Sequence, residues 1–184
     1  MTVTILLNRD VYRSLAAIDI IKSMKTVGEL NKYISSLSNP PIKYKIAVGA
    51  LIFTKDNKVI LIERGSEARD AVGKLEGVGG KVDESENNLH DVLRREIKEE
   101  IDIDVDIDDV LTIKIMPGTH DPNWVVVDYL CRLRSGTPKI QEPQKIKAIY
   151  VLSLDKIRED SLSGYQQVAM TAYRKKYGNT IYYE

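Results

Sequence analysis

Apolar and polar positions along this chain change period several times, and each change marks an element. Residues 2 to 7 (TVTILL) read as a short strand, while Val11 to Lys25 and Val27 to Leu37 carry apolar residues near helical spacing and predict two short helices. They run into Asn39-Pro40-Pro41, a stiff extended connector that disfavours helix before it, so a boundary is expected near residue 42. Residues 1–42 are expected to be an N-terminal appendage of a short strand and helices, and residues 43–184 the main domain.

The main domain opens with strand-like runs at Lys45 to Phe53 and Lys58 to Glu63, joined by the turn residues Lys55-Asp56-Asn57-Lys58, which predicts a hairpin. A glycine-rich loop from Arg64 to Gly80 follows, then a helix from about Asn88 to Ile101. Glycine there lets backbone approach a ligand. Further strands are expected at Ile103 to Ile107, Val110 to Ile115, Trp124 to Arg132 and Lys147 to Leu152. A last helix, Ser163 to Lys176, carries the stripe Tyr165, Val168, Ala169, Ala172 and Tyr173. Strands and helices without strict βαβ alternation predict an α/β (α+β) domain, a mixed sheet covered by helices.

Length and composition narrow the class without changing this picture. With 184 residues, 43% hydrophobic and 29% charged, the chain is expected to fold as one domain with its own core. Its apolar runs are short, and MTVTILLNRD reaches Arg9 and Asp10 too soon for a secretory segment, so no membrane association is expected. Cys131 is the only cysteine, which excludes an internal disulfide and a cysteine-based zinc cluster and suggests the reducing cytoplasm.

Charge changes the picture more. The totals balance at 27 Lys plus Arg against 27 Asp plus Glu, leaving no overall footprint for nucleic acid or an anionic membrane. Between Asp83 and Asp109, however, twelve acids face three bases (Arg94, Arg95, Lys98), a local net of −9. The first two expected helices lack the third helix and basic face of a DNA reader, and residues 1–44 hold only six Lys or Arg with few aromatics, so nucleic acid is not the expected partner. The alternating stretch Ile101 to Asp108 lacks the glycine and glutamate of a calcium loop, where Ile107 and Ile113 stand, and reads as a half-buried strand with an acidic outer face.

Spacing on the helix from Asn88 to Ile101 singles out three of the acids. On a helical wheel Val92, Leu89, Leu93, Ile97 and Ile101 form one apolar arc, and Arg94, Lys98, Asp91 and Arg95 lie opposite. Glu96 and Glu100 fall inside the apolar arc, with Glu99 at its border. Buried carboxylates are costly unless compensated, and residues spaced i, i+3 and i+4 converge, so a hard divalent cation is the natural remedy. Oxygen ligands without cysteine or paired histidine favour Mg²⁺, or Mn²⁺, over Zn²⁺.

Gly80, five residues, Glu86, then Arg95-Glu96-Ile97-Lys98-Glu99-Glu100 and Ile103 resemble the box of the Nudix (MutT-like) hydrolases. There are two departures: eight residues, not seven, separate Glu86 from Arg95, and Asp102 stands where the family has glycine. The extra residue falls before or at the helix start, where Asn88 is a good N-cap, and Asp tolerates the left-handed conformation expected at position 102. The likeness extends to Lys74 through Val82 and to Glu142-Pro143 through Ile149–Asp155, about residues 45 to 176 in all.

That resemblance implies an αβα sandwich and a Mg²⁺-dependent pyrophosphohydrolase. It would cleave a nucleoside diphosphate linked to another moiety (a nucleoside triphosphate, an oxidised nucleotide or an ADP-ribose type) by water attack on phosphorus. Glu96, Glu99 and Glu100, with the Gly80 carbonyl, would be the metal ligands, and Arg95 would pair with Glu86 in an architectural role. The general base is Glu100 first, Glu142 second and His120 third, with Glu99 also at the catalytic centre and His90 structural. Trp124 or Tyr129 could stack a base, and Pro117 lies near a proline found in ADP-ribose hydrolases. A homodimer is implied by family analogy alone. The alternative is a catalytically weak Nudix-fold regulator that binds a nucleotide.

Overall fold

The computed structural model describes residues 3–7, 11–15, 25–37, 44–116 and 123–178. Strands β1 (Val3–Leu7) and β2 (Val11–Leu15) form an antiparallel hairpin with Val3 opposite Leu15. The expected helix from Val11 is therefore corrected over its first five residues; residues 16–24 lie outside the described ones. The physical reason is long-range pairing: β1 supplies β2 with a hydrogen-bonding partner along its length, and a short isolated helix has a costly nucleus.

Helix α1 (Val27–Leu37) forms as expected, opened by a capping box in which Thr26 Oγ1 accepts the Glu29 N–H and Glu29 Oε2 accepts the Thr26 N–H. Its Leu30 and Ile34 are fully buried in the same apolar cluster as the main sheet. Backbone bonds from Val27 N–H to Asn87 and from Leu89 N–H to Lys25 tie this segment to the start of the next helix.

The main sheet has seven strands arranged around β3 (Tyr44–Phe53). It pairs antiparallel with β4 (Lys58–Arg64) and β6 (Val78–Lys81), and parallel with β8 (Asn123–Ser135). Beyond β8 lies antiparallel β7 (Asp104–Met116), and β4 also carries β5 (Leu75–Glu76) and β9 (Ile146–Ser153). The mixed sheet is the one expected. β7 joins what the pattern predicted as two strands; register shifts between Ile107 and Asp109 absorb the break, and Asp108 there is held by Arg132 at 2.6 and 2.7 Å.

Alternation along β3 divides the core. Val48, Ala50 and Ile52 join a cluster with Val92, Leu93 and Ile97 of α2 (Leu89–Ile101), whereas Leu51 and Phe53 join Met170 and Tyr173 of α3 (Gly164–Tyr177). Gly49, between them in the pattern, faces the α3 side. The buried stripe of α3 is Gln166, Ala169, Met170 and Tyr173, so the helix is rotated from the expected stripe: Tyr165, Val168 and Ala172 are only partly buried. Ser163 caps it by accepting the Gln166 N–H at 3.1 Å. Among the described residues no helix is long and apolar enough to cross a membrane.

Candidate active site

Helix α2 positions the acids. Asn88 caps it, accepting the N–H groups of His90 and Asp91, and Leu89, Val92, Leu93, Ile97 and Ile101 are buried beneath the sheet. The side chain of Glu96 is 16% exposed and that of Glu99 55%, so Glu96 goes inward with the apolar arc and Glu99 turns outward. Arg95 serves three carboxylates at once: Glu86 through Nε and Nη2 at 2.8 and 3.1 Å, Glu96 at 2.9 Å and Glu99 at 2.8 Å. The guanidinium holds the Glu86 carboxyl below its usual range, and burial pushes Glu96 up despite Arg95 beside it.

The glycine-rich segment brings backbone against these acids. A Cβ on Gly79 would lie 2.1 Å from the Val48 carbonyl oxygen, so that position excludes a side chain, and one on Gly80 would lie 2.2 Å from the Glu96 carboxyl carbon and would displace that carboxylate. Gly79 N–H donates to Glu100 Oε2 at 3.3 Å. Burial, with the Glu96 and Glu142 charges adding to it, pushes the Glu100 carboxyl up to about 8.

The loop before β9 closes this end. Its Lys139 and Gln141 N–H groups bind the carbonyls of Ile101 and Glu100 at 2.9 and 3.0 Å, carrying Glu142 and Lys145 to the rim. Lys145 donates to both oxygens of Glu142, at 2.9 and 3.0 Å, and the Glu142, Glu100 and Glu96 charges raise its pKa. His90 stands apart, edge-on to Tyr129 with ring centres 5.1 Å apart and its pKa lowered by burial, in the structural place expected of it. Tyr129 is fully buried in the core, which removes it as a base-stacking residue. His120 and Pro117 lie outside the described residues.

A cavity of about 450 Å³ runs from Glu96, Glu100 and Lys145 to a second polar end that the sequence reading missed. There Lys114 and Asp128, both buried, form an ion pair at 2.6 Å, and Lys114 also donates to the Tyr165 carbonyl at 2.8 Å. Gln166 Oε1 accepts the Gly77 N–H at 2.8 Å. Trp124 lines the same end with the Arg69 guanidinium 4.6 Å from its ring centre. The available signal was a charge interrupting an apolar strand, Asp128 in WVVVDYL and Lys114 in TIKIM. Gln166 offered none, since glutamine on a helix is unremarkable.

A sequence model of the NUDIX domain matches residues 43–171. The chain belongs to the Nudix family. Among solved structures, a MutT NUDIX hydrolase from Burkholderia pseudomallei is 27% identical with a TM-score of 0.63, covering 71% of this chain and 98% of its own. A MutT protein from Methanosarcina mazei Go1 (21% identity, TM-score 0.62, 74% and 97% covered) and a UDP-X diphosphatase (18%, 0.55, 83% and 73%) share the fold. No curated protein matches the sequence.

Both departures from the Nudix box have a local solution. Glu86 still reaches Arg95 through two bonds, because the added residue lies in the turn and first residues of α2 between them. Asp102 takes the family glycine's left-handed conformation (φ 54°, ψ 44°), donates its N–H to the Lys98 carbonyl at 3.1 Å and pairs with the Lys98 ammonium at 2.8 Å.

The donor set of this Nudix box fits a hard divalent cation by its chemistry. Among the described residues no three acids, histidines or cysteines are already gathered to hold a metal, since Glu99 is drawn to Arg95. Yet Glu96 and Glu100 are crowded into a half-buried site against Gly79 and Gly80, with both carboxyls pushed up, and the ligand atoms they offer are oxygens. A cation would relieve that crowding.

Proposed function

We propose that this Nudix hydrolase is a Mg²⁺-dependent pyrophosphohydrolase of nucleotides, cleaving a nucleoside diphosphate from a second moiety. The observation that carries the reading is the pair Glu96 and Glu100, held inward on one helix face against a glycine-rich strand and opening into a cavity large enough for a nucleotide. Mn²⁺ is the expected substitute, and residues 43–184 carry the catalytic site, with α1 of the N-terminal segment packed into the same core.

Glu96, Glu99 and Glu100 with the Gly80 carbonyl are the proposed ligands. These groups would hold a divalent cation, which would supply charge neutralisation of the diphosphate and activation of water. Glu100 is the proposed general base: Gly79 N–H fixes Oε2, and its other oxygen, without a protein partner among the described residues, is left to take the proton of the attacking water. Glu142, with both oxygens on Lys145, is better placed to hold that lysine at the rim than to take a proton. Arg95 keeps the helix register by clamping Glu86 while tempering the charge of Glu96 and Glu99.

The test is phosphate release, coupled through pyrophosphatase and phosphatase, across nucleoside triphosphates, oxidised nucleotides, ADP-ribose and dinucleoside polyphosphates, with and without Mg²⁺. Turnover of one class that vanishes without the cation and in E100Q is expected. Silence across the panel from folded protein would overturn the reading in favour of a nucleotide-binding regulator.

A further inference from the structure

The cations that line the cavity differ in how far they are neutralised. Arg64, Lys114 and Lys145 each hold a carboxylate at 2.9 Å or closer, and Lys81 holds Asp83 at 3.3 Å. Among the described residues Arg69 reaches only Asp70, at 3.4 Å, and the other oxygen of Asp70 is already held by Arg64 at 2.9 Å. The Arg69 side chain is 61% exposed, so its donors are open to a ligand.

The surroundings hold Arg69 in place. Arg64 pins the loop that carries it, donating from Nε to the Asp70 carbonyl at 2.8 Å and accepting the Gly73 N–H at 2.9 Å, while Gly65 N–H binds the Lys145 carbonyl at 2.6 Å. The Arg69 guanidinium lies over the Trp124 ring, 4.6 Å from its centre. The exposed Lys45 sets its ammonium 5.9 Å from the same centre, with no carboxylate on it among the described residues. Glu67, the other acid of this loop, is exposed, where its charge is screened. A guanidinium held against a ring keeps its N–H edge for hydrogen bonds, and that fork matches the oxygens of a phosphate.

We propose that Arg69, stacked on Trp124 and aided by Lys45, binds a phosphate monoester carried on the ribose of the substrate, so that the protein prefers nucleotides with that group to the same nucleotides without it. This rests on the pyrophosphohydrolase reading and narrows its substrate class. Two cations on one ring call for a dianion, which a phosphate monoester approaches at neutral pH and a carboxylate does not. Placement decides which phosphate. Trp124 pairs with Lys45, three residues along β3 from Val48, and Val48 pairs with Gly80 on the other side, so two strand spacings and that rise put the Trp124 backbone roughly 14 Å from Gly80. That is too far for the next phosphate of the chain being cut at the acid end, and it suits a group on the far side of a sugar. Between the two ends Ala47 and Gly49 of β3 and Val126 of β8 share the face of Lys45 and Trp124, a floor of small side chains along which a sugar can lie.

Trp124 is the only tryptophan of the chain, so its fluorescence reports on this end directly. The test titrates wild type, R69M and R69K, with Mg²⁺ present, with AMP and with adenosine 2′,5′- and 3′,5′-bisphosphate, and compares kcat/KM for NADPH against NADH and for coenzyme A against its 3′-dephospho form. Wild type is expected to bind one bisphosphate at least about tenfold more tightly than AMP, with a change in Trp124 fluorescence, and to favour the matching phosphorylated substrate by as much. R69M should erase both preferences, and R69K should keep only part of them, because an ammonium cannot form the fork. No preference for either bisphosphate over AMP, or a preference unmoved in R69M, would overturn the assignment, and the wild-type comparison alone decides it if R69M does not fold. A bisphosphate preference at Trp124 without hydrolysis of any nucleotide leaves the anion site standing and defeats the pyrophosphohydrolase reading. Hydrolysis without that preference defeats the anion site alone, and neither hydrolysis nor preference defeats both.

Discussion

Two cations, Arg95 and Lys114, organise carboxylates at the two ends of one cavity, and they do so in opposite ways. Lys114 is matched one to one with Asp128 in a buried, neutral pair. Arg95 is shared among Glu86, Glu96 and Glu99, with Glu100 crowded beside them and served only by a backbone N–H. The closed pair stiffens a wall; the oversubscribed one leaves negative charge facing the cavity. A buried ion pair with its charge satisfied is weak evidence of chemistry, whereas acids held together without enough cations indicate that a cation is to come from outside.

The largest effects break the two ends differently. E100Q should lower turnover roughly a hundred- to ten-thousandfold while leaving the protein no less stable, read by phosphate release and thermal melting. The sign follows from burial pushing its carboxyl up to about 8 from the ordinary carboxylate value of about 4.5. In chelator-treated protein its contribution to stability is complete at low pH and is lost as pH rises from about 4.5 through about 8, and E100Q should flatten that slope. K114M should do the reverse, costing about 3–5 kcal/mol by stranding Asp128 in the core, seen as a lower denaturant midpoint. If K114M melted like wild type, the closed pair would not be the wall described.

Smaller changes sharpen the contrast. G80A puts a methyl group 2.2 Å from the Glu96 carboxyl carbon, so Glu96 must move, and turnover should fall roughly ten- to a hundredfold with little change in melting. E86Q should cost about 1 kcal/mol, discounted because Arg95 is one-third exposed. Arg95 holds Glu86 below its usual pKa, so the pair stabilises above about pH 4.5 and this stability is lost as pH falls through the folded value; E86Q should remove that acid limb in urea melts at stepped pH. D102G should stabilise by about 0.5 kcal/mol, since glycine adopts φ 54° freely while the exposed Lys98 pair is lost, and should leave turnover unchanged.

The same contrast explains what the sequence made legible. The acid end lies on one helix, where spacing i, i+3, i+4 is a local code, so Glu96, Glu99 and Glu100 could be read directly, while the Glu86–Arg95 clamp was implied by the family resemblance; the outward turn of Glu99 needed the structure. The other end is assembled from β7, β8 and α3 by the parallel β3–β8 pairing, which sets Asp128 beside Gly49, and no local period encodes that. Hairpin and helix limits in the main domain were likewise local. The helix expected from Val11 failed because β1 captured its first residues, and α3 turned because Gln166 faces inward to meet Gly77, a contact 89 residues away in sequence.

The most direct test of the central claim is Mn²⁺ binding to the metal-free protein, followed by electron paramagnetic resonance in wild type, E96Q and E100Q. Wild type should take up Mn²⁺, Mg²⁺ should compete for it, and each variant should weaken uptake at least about tenfold. Uptake undiminished in both variants, or none in the wild type with nucleotide present, would contradict the assignment of this helix face as the metal site.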